Sequence, residues 1–164
     1  MRLINCAVAL VVASPALAWS QGTPKPAGPE MKAAFDSMQA NVAQITVPAE
    51  RERWQANVAL WQMRLGHMGK LAKADIAGVQ ASFDAMKGNV AKITEPAEKE
   101  RWLANRDLWQ ITLRQAGSPS AADRKRMQTA FDAMRGNVAK ISAPAEKGRW
   151  QANRDLWKAM LDRM

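Results

Sequence analysis

The sequence predicts an all-α protein of three tandem antiparallel helical hairpins, six helices on a 48-residue repeat, stacked as a short solenoid or bundle. Three observations carry this. Phe35, Phe83 and Phe131 open three gapless copies in which 17 of 34 aligned columns are identical, the mark of stacked modules that share a core. Within each copy the apolar residues recur at helical spacing. No segment alternates apolar and polar residues with period two, so no sheet is expected.

Residues 1–18 carry Arg2, an apolar run from Leu3 to Val12 and the triplet Ala16-Leu17-Ala18. This pattern predicts a signal peptide cut near Ala18, because the apolar run falls short of the roughly 20 residues that a membrane-spanning helix requires. The exported chain is expected in the periplasm or outside the cell, with no transmembrane segment. Cys6, the one cysteine, leaves with the signal, so packing and not disulfides must hold the fold. Residues 19–30, with Gly22, Pro24, Pro26, Gly28 and Pro29, read as a flexible leader.

Hairpins are expected over residues 31–69, 79–117 and 118–164. In each, a first helix shows the stripe Met31, Phe35, Met38, Val42, Ile45, repeated from Val79 and from Met127, which makes one buried face. The stripe ends at Ile-Thr-Val-Pro-Ala-Glu, Ile-Thr-Glu-Pro-Ala-Glu and Ile-Ser-Ala-Pro-Ala-Glu. Thr46, Thr94 and Ser142 suit N-caps, the following prolines suit a first turn, and Glu50, Glu98 and Glu146 suit the positive helix end. The second helix carries Trp54, Asn57, Leu60, Trp61, Leu65 and Met68 inward. It ends near Gly66 and Gly69 in copy one and at Gly117-Ser118-Pro119 in copy two. Helices of about 18 residues are roughly 27 Å long, and a two- or three-residue connection makes them antiparallel.

Six tryptophans pair at a spacing of seven, Trp54 with Trp61, Trp102 with Trp109 and Trp150 with Trp157. Seven residues is two turns on one face. Buried indoles account for them most simply; an aromatic groove for a glycan, a proline-rich peptide or a planar ligand is the alternative. Asn57, Asn105 and Asn153 fall between the indoles, where an amide must be hydrogen-bonded. Counting outward from the turn places Asn57 opposite Asp36, and Asn41 opposite Glu50 to Arg53. The expectation is a polar clasp within each hairpin: Asp36, Asn41, Arg53 and Asn57; Asp84, Asn89, Arg101 and Asn105; Asp132, Asn137, Arg149 and Asn153. Its role would be to fix register.

The net charge of +9, +8 without Arg2, is spread evenly over the copies, which favours a generally cationic surface over a phosphate site. Only Arg124-Lys125-Arg126 forms a cluster, read as a solvated helix face. Dispersed charge on an exported chain also argues against nucleic acid as partner. Met63, His67 and Met68 share a helix face and suit Cu(I), but copies two and three replace His67 by Gln115 and Arg163. No metal is therefore assigned and no cofactor is expected. A lone histidine offers no nucleophile–base pair, and with no strand there is no strand-linked phosphate loop. The expectation is a non-enzymatic binding or scaffold protein of the cell envelope, with a helper or chaperone-like role as its narrower form. Its partner would be an unknown envelope protein or anionic polymer. A periplasmic Met/His copper carrier and a cationic binder of polymer or membrane surface are the alternatives. Met160 and Met164 leave an apolar flank on the last hairpin, which raises the expectation of a homodimer.

Overall fold

The computed structural model describes residues 27–67, 73–114 and 119–164. They form six helices and no strand: α1 Pro29–Val42, α2 Pro48–Gly66, α3 Lys73–Ala91, α4 Pro96–Arg114, α5 Ala121–Val138 and α6 Pro144–Leu161. The signal peptide, most of the leader, Met68, Gly69 and the Gly117-Ser118 exit lie outside the described residues.

The predicted turn acts through its proline. Proline removes an N–H that a first helical turn does not use, and it pushes the preceding residue into extended backbone. Val47 and Ala143 accordingly stand at ψ 116° and 117° as the N-caps of α2 and α6, without a side-chain cap. The expected caps Thr46 and Ser142 lie one residue too early. In copy two the capping oxygens belong to Glu95, whose carboxylate accepts from the backbone N–H groups of Ala97, at 3.0 Å, and Glu98. The carboxyl is held below its ordinary range by those two bonds, Glu98 first.

The first helices begin earlier than their apolar stripes. Pro29 and Glu30, expected in the leader, open α1 behind an N-cap at Gly28. The helix α5 opens at Ala121, where Ser120 Oγ accepts from the Asp123 N–H at 3.1 Å. These opening turns are polar, so an apolar period does not register them.

Each first helix packs more extensively against the second helix of a neighbouring hairpin than against its own: α3 on α2, α5 on α4, and α1 on α6. The last pairing closes the array, so the arrangement is a closed bundle and not an open solenoid. Around it α1, α3 and α5 alternate with α2, α4 and α6. Met160 lies 2% exposed, so the flank that suggested a dimer is largely covered within the chain itself, Met164 alone remaining exposed.

Candidate functional site

The repeat brings identical positions of α2, α4 and α6 to one axis. Trp54, Trp102 and Trp150 meet in one layer, with ring centroids 4.9–5.0 Å apart at 65–68°. Trp61, Trp109 and Trp157 meet in a second, at 4.7–4.8 Å and 63–65°. Because the same end of each helix supplies each layer, the three helices run parallel. Every contact is edge to face, the arrangement the ring quadrupole favours, worth about 0.5–1.5 kcal/mol per pair beyond burial. All six rings are at most 1% exposed. The indole stripe is core, and the alternative of an aromatic groove is thereby removed.

Between the indole layers lie Asn57, Asn105 and Asn153, each fully buried. Their amides form a cycle: Asn57 Nδ2 donates to Asn153 Oδ1 at 3.0 Å, Asn153 Nδ2 to Asn105 Oδ1 at 3.1 Å, and Asn105 Nδ2 to Asn57 Oδ1 at 3.0 Å. The second amide hydrogens point to Met38, Met134 and Met86 Sδ at 3.5–3.6 Å. The second lone pair of each oxygen accepts an indole N–H: Trp61 to Asn153 and Trp109 to Asn57 at 2.9 Å, Trp157 to Asn105 at 2.8 Å. An amide has two donors and two acceptor sites. All are used here, so the ring keeps no hydrogen-bonding capacity for a ligand.

One turn nearer the helix N-termini lies a charged ring of opposite sense. Arg53 Nη2 meets Glu98 Oε1 at 2.6 Å, Arg101 meets Glu146 at 2.6 Å, and Arg149 meets Glu50 at 2.5 Å. The guanidinium carbons of Arg101 and Arg149 stand 5.8 and 6.0 Å from the ring centroids of Trp150 and Trp54, within cation–π range. Arginine burial is tolerated because each charge meets a carboxylate, and those of Arg101 and Arg149 also face an indole.

The clasp expected within each hairpin is therefore overturned in its pairings. Asp36 accepts from Lys32 at 2.8 Å, Asp84 from Gln80 and Asp132 from Gln128, both at 3.1 Å, all on exposed faces. Asn41 donates to the Ser37 carbonyl at 2.9 Å, Asn89 accepts from Lys92 at 3.4 Å, and Asn137 donates to Glu100 at 3.2 Å. Counting register inside one hairpin assumes that the second helix turns its amide toward its own first helix. Closure turns it toward the axis, where the other two copies wait.

His67 Nε2 sits 3.2 Å from Asp75 Oδ2, an exposed contact between the end of α2 and the first turn of α3. Met63 is half-buried against the core, and Met68 lies outside the described residues. Among the described residues no cluster of three or more His, Cys, Asp or Glu side chains could hold a metal ion, and no helix is long and apolar enough to cross a membrane.

What sequence reasoning missed is a groove of about 800 Å³ between α4 and α5. Its floor includes Leu103, Ala104, Ile111 and Ala130, and Arg114, Lys125 and Arg126 stand at one end. The signal was present outside the shared columns: Leu103 stands where copies one and three have Gln55 and Gln151.

The chain matches no family model, no curated protein and no solved structure.

Proposed function

We propose that this is a non-enzymatic, exported helical-repeat binding or scaffold protein of the cell envelope, acting as a helper or chaperone-like factor through its outer surface. One observation carries the reading. The repeated tryptophans, asparagines and arginines are consumed by the axial core, whereas the copies diverge on their outer faces. Position 58 is Val in copy one but arginine as Arg106 and Arg154, each paired with the next aspartate at 2.7 Å. A scaffold that is uniform inside and varied outside is the division of labour of repeat proteins that bind through surface positions. Export is supported by the N-terminal pattern of the sequence.

The test is comparative capture. Envelope fraction is passed over the immobilised protein and over a version whose α4 face carries copy-one residues, Leu103→Gln, Arg106→Val, Asp107→Ala and Ile111→Met. The reading predicts a component retained by the first and lost by the second, at equal helicity and melting temperature. No component distinguishing the two chains overturns it.

A further inference from the structure

The three-fold repeat provides an internal comparison, because the chain has three equivalent seams between a second helix and the next first helix. At the α4–α5 seam the floor is Leu103, Ala104, Ile111 and Ala130, all packed against the core. From Glu100 to Arg114 the seam runs roughly 21 Å along α4 at 1.5 Å per residue. One end holds Arg114 in the last turn of α4 with Lys125 and Arg126 of α5. All three are exposed, and among the described residues none forms an ion pair. The groove's carboxylates are already engaged. Arg106 Nε and Nη2 hold Asp107 at 3.0 and 2.7 Å, and Glu100 accepts from Asn137 at 3.2 Å.

The other seams lack this combination. At α2–α3 the three cations become Gly66, Ala77 and Gly78, and Leu103 becomes Gln55. At α6–α1 they become Asp162, Pro29 and Glu30, with Gln151 and Ala159 for Leu103 and Ile111. An apolar trough with three exposed cations at one end, in a volume within the usual 300–1,000 Å³ of small-molecule sites, is complementary to a chain with a charged head. It is small for a folded partner, which requires roughly 800 Å² of contact surface per side. We propose that the α4–α5 groove binds a monomeric single-chain amphiphile with an anionic head. Its tail lies along Leu103, Ala104, Ile111 and Ala130, and its head meets Arg114, Lys125 and Arg126. This rests on, and sharpens, the binding reading above.

The test titrates the purified protein with decyl phosphate below its micellar concentration, by calorimetry and by amide shifts of Leu103 and Ile111. Decanol and inorganic phosphate are the controls that lack head charge and tail. Variants borrow residues from the other copies so that folding is guarded: Leu103→Gln with Ile111→Ala, and Lys125→Ala with Arg126→Glu. One-to-one binding is expected, with each control and each double variant about tenfold weaker or more, and the head contribution fading as salt rises. Absence of binding, shifts on another face, or affinity unchanged in both double variants overturns the proposal. So does binding to anionic phospholipid vesicles with none to monomeric decyl phosphate. If decyl phosphate fails while the capture experiment succeeds, only this proposal falls; if capture fails while decyl phosphate binds, the scaffold part of the reading falls and its binding part, on which this proposal rests, stands.

Discussion

Asn57 donates its amide hydrogen to Asn153 Oδ1 at 3.0 Å, across 96 positions of sequence. That bond joins the first hairpin to the last, and it belongs to a cycle that each copy enters once as donor and once as acceptor. A cycle of this kind has no free end, so its members are held together or lost together.

Replacing Asn105 by Leu leaves two buried donors, Asn153 Nδ2 and Trp157 Nε1, without their acceptor. Each orphaned group costs about 1–3 kcal/mol, so a loss of about 2–6 kcal/mol is expected in urea unfolding. The triple Leu variant at 57, 105 and 153 orphans the indoles but no amide, and is expected to cost less than three single changes.

The indole layers differ in polar pairing. Trp109 Nε1 donates to Asn57 at 2.9 Å, whereas Trp102 Nε1 is buried without a partner. Trp109→Phe is therefore expected to cost about 1–2 kcal/mol more than Trp102→Phe, since only the first removes a bonded donor. Either tryptophan to Ala is expected to cost about 3–5 kcal/mol through the cavity it opens. Equal costs for the two phenylalanine variants would remove the distinction between the layers.

Arg101 is 7% exposed at its side chain and Glu146 29%, so this pair is shielded from solvent more than a surface bridge. A double-mutant cycle with Arg101→Met and Glu146→Gln is expected to return a coupling of about 1.5–3 kcal/mol, the range for hydrogen bonds to charged groups. A value near zero would mean that the ring contributes no more than ordinary surface charge.

Glu95 gives a pH signature to one hairpin only. Its folded-state pKa is lowered by accepting the N–H groups of Glu98 and Ala97. The capping contribution is thus present above the unfolded glutamate pKa and lost as pH falls through the lower folded value. Amide shifts of Ala97 and Glu98 should titrate together, below the ordinary glutamate range, and the titration should vanish in Glu95→Gln. Val47 and Ala143 hold the same position in the other hairpins, so α2 and α6 should show no counterpart.

Much of this fold was legible because the repeat states it three times. The stripe from Met31 to Ile45 marks a buried face, and the Pro-Ala-Glu turn marks where the second helix begins. The inward indoles followed from seven-residue spacing. What the sequence could not display is closure. Positions 57, 105 and 153 look equivalent whether hairpins stack in a row or around an axis, and the hydrogen-bonding needs of an asparagine can be met in either arrangement. Reading Asp36 as the partner of Asn57 assumed the nearest neighbour in sequence, while the axis supplied one from another copy. The α4–α5 groove was hidden for the opposite reason: Leu103 and Ile111 break the repeat, and attention to shared columns passes over them.

The most direct measurement is a nuclear Overhauser spectrum of the labelled protein, read at the indole N–H of Trp61. A closed axial ring places that proton beside the side-chain amide of Asn153 and the ring of Trp157, so cross-peaks from copy one to copy three are predicted, with slow solvent exchange. Cross-peaks confined to residues of the first hairpin, with rapid exchange at the indole, would contradict the account.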